Sequence, residues 1–185
     1  EDLVITVGSV GAGGQLGACA VVRAGYVGRT TSAARSSVSD SKNEDAAAFE
    51  VGCAKGTYRA STGTSDCTVV PPGEVGRVAN DAHAFANQVG AAFASPCSNG
   101  YYRDAARSTA LGDCVDIDAG KQGQSSDAAD GSTYVATGAT FQVACVAGKY
   151  NTNGDAACES CALGTFQASA GKASCDNVLA GKVGR

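Results

Sequence analysis

Nine cysteines are the residues in this chain with the most chemistry to offer. A thiol can pair as a disulfide, bind a metal as thiolate or act as a nucleophile, and spacing decides which. Four of the nine are followed by glycine at +3 and an aromatic at +5. They are Cys53-Ala-Lys-Gly56-Thr-Tyr58, Cys97-Ser-Asn-Gly100-Tyr-Tyr102, Cys145-Val-Ala-Gly148-Lys-Tyr150 and Cys161-Ala-Leu-Gly164-Thr-Phe166. A second cysteine follows each by 13 to 17 residues: Cys67, Cys114, Cys158 and Cys175. The shortest loops would therefore be Cys53–Cys67, Cys97–Cys114, Cys145–Cys158 and Cys161–Cys175. Each would clip a hairpin-sized segment, worth about 3 kcal/mol in the chain-entropy picture. Spacing alone does not fix connectivity, and pairing across the longer stretches stays open.

Other chemistries lack their parts. Cys158-Glu-Ser-Cys161 has the spacing of half a zinc site or a redox pair, but no second ligand pair stands at the usual distance, and a thioredoxin-type setting is absent. The single histidine, His83, sits in Asn-Asp-Ala-His-Ala-Phe with no nucleophile-elbow word and reads as a surface residue. Asn151-Thr-Asn153-Gly-Asp155 echoes the start of a calcium loop but has Ala156 where position 6 needs glycine and Ala162 where position 12 needs glutamate. Asp113, Asp116 and Asp118 read as a solvated turn. The expectation is a chain without catalytic residues, bound metal or cofactor.

Cys19 is left over. Fourteen residues before it, where an opening cysteine belongs, stands Ile5, with Gly8 at +3 and Val10 at +5. Cys19 is thus either a buried free thiol or a bridge to another chain.

These cysteines sit in a longer frame. Cys19, Cys67, Cys114 and Cys175 each have glycine at +6, in the words CAVVRAGYVGR, CTVVPPGEVGR, CVDIDAGKQGQ and CDNVLAGKVGR. Phe49, Phe93 and Phe141 each precede an opening cysteine by four residues. The closing cysteines are 48, 47 and 61 residues apart, the last interval being lengthened by one short module. The frame divides the chain into a degenerate half repeat at 1–18, repeats at 19–66, 67–113 and 114–174, and the start of another at 175–185. The third repeat contains the inserted short module at 158–174. A tandem repeat of this kind usually builds a spacer, a fibre or a binding surface.

Within the frame, Thr133 to Val143 and Leu3 to Val7 read as β-rich, and Cys19-Ala-Val-Val and Cys67-Thr-Val-Val as short strands ending in glycine turns. Thr30 to Asp45 and Gln122 to Ser132 read as solvated loops. Asp81 to Ala94 has helix-compatible alanines with weak periodicity. With 25 Gly, 6% aromatics, no Trp and no Met, a single thick core is hard to build, and small stapled layers suit the composition better. The fold expected is β-rich, made of small disulfide-stapled tandem repeats with much irregular structure and little helix.

Regularly paired cysteines imply an oxidising compartment, hence a secreted or cell-surface protein. A net charge of −4 without a basic run argues against nucleic acid, and no stretch approaches the ~20 apolar residues of a membrane helix. Every asparagine fails the Asn-x-Ser/Thr rule, whereas Thr30-Thr31-Ser32 and Ser36-Ser37 offer hydroxyls to O-linked sugars.

The word Cys158-Glu-Ser-Cys161-Ala-Leu-Gly-Thr-Phe-Gln-Ala-Ser-Ala-Gly-Lys-Ala-Ser-Cys175 resembles the cysteine-rich ephrin-receptor-like (GCC2/GCC3) repeats found in surface, mastigoneme-like and other extracellular fibre proteins. Cys53 to Cys67 is close to the pattern, with Glu50 in place of the earlier cysteine; the other two modules have Ala94 and Gln142 there. The resemblance covers about half the chain and implies an extracellular structural or adhesive role with no catalytic residue carried over.

Both ends fall inside the repeat frame, which reads either as a fragment of a longer array or as subunits that join head to tail; in the second case apolar Leu3, Val4, Ile5 and Val7 suit strand addition to a neighbour. The expected function is a non-catalytic subunit of an extracellular filament or appendage, assembling head to tail with itself as partner. The alternative is a ligand-binding or adhesion segment of a larger secreted or surface protein.

Overall fold

The computed structural model describes residues 21–30, 42, 44, 47, 49–79, 86–125 and 134–182. Cys19, the Leu3 to Val7 segment, the 1–18 half repeat and His83 lie outside the described residues. The chain forms two compact units: residues 1–71, 75–95 and 108–113 make the first, and residues 72–74, 96–107 and 114–185 the second.

The described strands pair into two-stranded antiparallel sheets of two kinds. The longer kind joins four-residue strands across a variable stretch: β1 (Tyr26–Arg29) with β2 (Phe49–Gly52), β5 (Glu74–Arg77) with β6 (Phe93–Pro96), and β9 (Lys121–Gln124) with β10 (Phe141–Ala144). The shorter kind is a two-residue ladder: β3 (Thr57–Tyr58) with β4 (Thr68–Val69), β7 (Tyr101–Tyr102) with β8 (Val115–Asp116), β11 (Lys149–Tyr150) with β12 (Glu159–Ser160), and β13 (Thr165–Phe166) with β14 (Asp176–Asn177). Two paired residues cannot hold a hairpin in water. Disulfides Cys53–Cys67, Cys97–Cys114, Cys145–Cys158 and Cys161–Cys175 close these four short loops.

The strand-rich, helix-poor character expected from the sequence is present. Only α1 (Ala105–Thr109) is helical among the described residues, opened by Asp104, whose carboxylate accepts the Arg107 N–H at 2.7 Å.

Two local readings need correction. Gln122 to Gln124 is not solvated loop but strand β9, with Gln122 and Gln124 at 1% and 0% exposure. Gln122 occupies the place of buried Val27 in β1, and its Oε1 accepts the Cys158 N–H at 2.8 Å. The position in the frame sets the conformation here, and a hydrogen bond compensates the buried amide. The β-rich run before Cys145 begins as strand only at Phe141 (Thr133 is outside the described residues). The interruption is Gly138, whose N–H donates to the Cys97 carbonyl at 2.8 Å.

Underneath both word types lies one device. Opening cysteines alternate with aliphatic residues from the Val-rich words, except where Cys161 directly follows Cys145, and each such anchor is followed three residues later by glycine: Val22/Gly25, Cys53/Gly56, Val70/Gly73, Cys97/Gly100, Ile117/Gly120, Cys145/Gly148, Cys161/Gly164 and Val178/Gly181. The chain turns tightly there. In the Cys97 word, the Tyr101 N–H reaches the Ser98 carbonyl at 3.1 Å, and Gly100, third in the turn, has φ +82°.

From Cys53 onward, each anchor N–H then donates to the carbonyl of the preceding turn glycine. In the first unit Cys53 bonds Gly25 at 2.7 Å and Val70 bonds Gly56 at 3.0 Å. In the second, Cys97 bonds Gly73 (2.7 Å), Ile117 bonds Gly100 (2.8 Å), and Cys145, Cys161 and Val178 bond Gly120, Gly148 and Gly164 (2.9 Å each).

Packing follows the anchors. In the first unit Val22 packs with Ala47 and Tyr26, and Val27 packs with Cys53 and Cys67. In the second, Cys97, Ile117 and Cys145 are at most 3% exposed. These clusters are small, as a chain poor in large side chains requires.

Candidate functional site

The surface is built around the residue six positions after each opening cysteine. These are Arg59, Arg103, Asn151 and Gln167, all polar and all at most 9% exposed. Their backbone carbonyls accept the N–H of a preceding turn glycine: Gly25 to Arg59 at 2.8 Å, and Gly73 to Arg103, Gly120 to Asn151 and Gly148 to Gln167 at 2.7 Å. Their side chains hold backbone too. Arg59 donates to the Tyr26 carbonyl, Arg103 to that of Glu74 at 2.7 Å, and Asn151 to that of Lys121 at 2.9 Å. Gln167 instead donates to Ser174 at 2.9 Å. Burial lowers the pKa of the Arg59 guanidinium, with Asp66 and Glu50 opposing. This +6 position went unnoticed in the sequence because Arg, Asn and Gln share no simple pattern. Its signal is a long polar residue immediately after the aromatic in every Cys-x-x-Gly-x-aromatic word.

In the calcium-like word, Asn151 is bonded to backbone on both sides of its amide. Its amide donates to Lys121 and Ala156 (2.9 and 2.6 Å), and its Oδ1 accepts the Gly154 and Asn153 N–H groups at 3.0 and 3.3 Å. The Asn153 amide is bonded to Asp155 at 2.9 Å. These side chains hold the turn itself. Asn151→Ala therefore strands several buried backbone groups and is expected to destabilise the chain by about 2–3 kcal/mol in denaturant unfolding. A loss below about 0.5 kcal/mol, the size of a neutral surface change, would remove this role.

The three aspartates separate. Asp113 meets the Lys55 ammonium at 2.8 Å and the Asn87 backbone N–H at 2.8 Å. Burial works to raise its pKa, but the hydrogen bonds from Lys55 and Asn87 outweigh it and hold the carboxyl below its ordinary value. Asp118 is lowered chiefly by its bond to Lys121 at 2.7 Å, then by Gln142. Asp116 lies across the ladder from Tyr101 and raises that phenol's pKa. Tyr150 repeats the arrangement: its hydroxyl donates to Glu159 at 3.0 Å, and this bond raises its pKa. Two of the four stapled ladders thus carry a phenol–carboxylate pair.

Cys158 and Cys161 bond away from each other, to Cys145 and Cys175. Among the described residues no three His, Cys, Asp or Glu side chains group as metal ligands, and no helix is long and apolar enough to cross a membrane. The remaining feature is a concave apolar face of about 1030 Å³ at the last turns, lined by Ala147, Leu163, Phe166, Val178 and Leu179.

Residues 148–181 match the Ephrin_rec_like family, described as tyrosine-protein kinase ephrin type A/B receptor-like. The matched segment contains the Cys158-Glu-Ser-Cys161 to Cys175 word, and two of the four disulfides have cysteines in it. No curated protein matches the chain. Staples of this kind and a receptor-type cysteine-rich match mark a disulfide-rich module of the extracellular kind.

Proposed function

We propose that this chain is a non-catalytic structural subunit of an extracellular filament or appendage, assembling head to tail with further copies of itself. One observation supports the reading above the others: from Cys53 to Val178 each anchor N–H is bonded to the preceding turn glycine, so successive modules are held by one repeated contact. A contact that hands on its own complement does not close on itself and propagates naturally into a fibre. The stapled ladders make such a fibre durable outside the cell. O-linked sugars on Thr30-Thr31-Ser32 and Ser36-Ser37 would add a hydrated coat, and Cys19 offers a covalent lock between subunits. Thr30 presently donates its hydroxyl to Glu44 at 2.7 Å.

The match at residues 148–181 favours a second reading, a ligand-binding or adhesion segment of a larger secreted or surface protein. Electron microscopy and sedimentation of the native material separate the two. A filament subunit gives regular helical fibres and a heavy species that resists non-reducing gels. Isolated particles that stay single at high concentration with Cys19 capped would overturn the filament and leave the adhesion segment.

A further inference from the structure

One cover in the repeat is built differently from the others. The carbonyls of Val22, Cys53, Cys97 and Cys145 accept the N–H of a covering glycine, Gly63, Gly90, Gly138 and Gly171, at 2.8 to 3.0 Å. The Val70 carbonyl instead accepts the Ser108 hydroxyl at 2.5 Å. Ser108 belongs to α1, in the Cys97–Cys114 loop, the longest of the four. That loop carries Leu111 onto the Gly56 turn, where a Cβ on Gly56 would lie 2.6 Å from the Leu111 Cβ. Gly90, Gly138 and Gly171 have φ of +72° to +73°, which a glycine adopts freely. Leu111 stands at φ +56°, alone among the described non-glycine residues, and its side chain makes that conformation costly.

A strained cover needs a hold, and Asp113 supplies it. One carboxylate oxygen accepts the Asn87 backbone N–H at 2.8 Å and the Asn87 side-chain amide at 3.3 Å; the other meets the Lys55 ammonium at 2.8 Å. The Asn87 amide also donates to the Gly112 carbonyl at 2.7 Å, and its Oδ1 accepts the Gly76 N–H at 2.8 Å. The Lys55 turn, Asn87 and the Leu111 segment thus meet at one carboxylate, all within the first unit. In the second unit Tyr134 takes the place of Asn87. The residue after each folds back onto a strand glycine, Gln88 to Gly76 at 2.8 Å and Val135 to Gly123 at 3.0 Å. The Tyr134 hydroxyl reaches the Asn99 amide oxygen at 2.6 Å and the Asp155 backbone carbonyl at 2.9 Å, and neither contact uses a carboxylate.

We propose that Asp113 is an acid-released latch: its carboxylate fastens the Ser108–Asp113 segment over the Gly56 turn, and protonation lets that segment lift while the rest of the first unit stays folded. Among the described residues Lys55 is the charged group that faces Asp113; Asn87 and Gly112 are neutral, Asp116 lies across from Tyr101, and Asp118 bonds Lys121 and Gln142. Asp81 and His83 lie outside the described residues, and a variant at Asp113 separates their titration from its own. Burial works to raise the Asp113 pKa, but the bonds from Lys55 and Asn87 outweigh it and hold the carboxyl below its ordinary value. The latch is therefore fastened above about pH 5 and weakens as the pH falls through the lowered value. The device is independent of whether copies of the chain assemble.

Amide exchange followed by NMR on the 185-residue chain, at about pH 6 and about pH 2.5 and corrected for the intrinsic pH dependence of exchange, tests the latch. Leu111, whose N–H donates to the Ser108 carbonyl at 3.1 Å, and Asn87 report on it; Gly138, in the second unit, is the reference. A bond to a charged group is worth about tenfold or more, and Asp113 is 33% exposed, so protection at Leu111 and Asn87 is expected to fall roughly tenfold in acid while Gly138 keeps its own. Asp113→Asn is expected to show the low protection already at about pH 6, with no further loss in acid. Lys55→Gln changes an exposed side chain (52%) and moves the loss to higher pH, toward the ordinary aspartate value of about 3.9. Equal protection of Leu111 and Asn87 at both pH values, an Asp113→Asn chain that titrates as wild type does, or a loss at Gly138 in step with the other two would each overturn the latch.

Discussion

Full reduction of the disulfides is expected to unfold this chain without any denaturant. The loops closed by Cys53–Cys67, Cys97–Cys114, Cys145–Cys158 and Cys161–Cys175 span 14, 17, 13 and 14 residues. Each is worth about 3 kcal/mol, and together they equal the whole stability of about 5–15 kcal/mol typical of a folded domain. Little else stands behind them. The ladders they clip are two residues long, and the buried apolar side chains are chiefly Val, Ala and Cys. Far-UV circular dichroism and limited proteolysis, with and without reductant, report the outcome. A reduced and alkylated chain that keeps its ladders and resists protease would show that glycine-turn hydrogen bonding, not the staples, carries the fold. Replacing only Cys97 and Cys114 by alanine should cost about 3 kcal/mol and be felt most in β7, β8 and the Ile117 anchor.

The second large effect separates two glycines with the same backbone angle. Gly120 has φ +81° and Gly164 φ +83°, so an alanine at either bears the left-handed penalty of about 1–2 kcal/mol. Gly164 has open space around its missing Cβ, whereas at Gly120 that atom would sit 2.3 Å from the Gly171 carbonyl oxygen and 2.5 Å from its carbon. Those are backbone atoms held by the Gly171 N–H bond to Cys145, and they cannot swing aside. Gly120→Ala is therefore expected to cost about 4 kcal/mol or more, in the exceptional range for a single change, and Gly164→Ala no more than about 2 kcal/mol. Denaturant midpoints measured on both variants decide it. Equal losses would mean that only φ matters and that the close approach of the two turns relaxes freely.

Much of the architecture was legible because cysteine and glycine are read by position rather than by preference. The spacing of Cys53, Cys97, Cys145 and Cys161 to their followers delimits the short ladders, and the glycines at +3 and +6 mark the turns. What stayed hidden was the equivalence of the two words. Val22, Val70, Ile117 and Val178 do the work of the opening cysteines, but an aliphatic residue and a half-cystine share nothing in a sequence except the glycine three residues on. Gln122 and Gln124 looked solvated because amides usually are, and only the position they inherit from Val27 and Arg29 buries them. The buried +6 residues were missed for a related reason: their selection is for reach to a backbone carbonyl, which Arg, Asn and Gln satisfy at different lengths.

The local pairing of the staples has a consequence under tension. Each bridge holds its cysteines with Cα atoms 5.6 to 6.0 Å apart, so a chain pulled from its ends short-circuits the loop between them. With 13 to 17 residues per loop, each bridge withholds roughly 45–60 Å of contour. Among the described residues no bridge joins the two strands of a four-residue ladder, so those ladders lie in the path of the load. Load would then be borne by the hydrogen bonds of those ladders, in series with inextensible knots. A chain built this way can give at its ladders while the turns at Gly56, Gly100, Gly148 and Gly164 stay inside their closed loops.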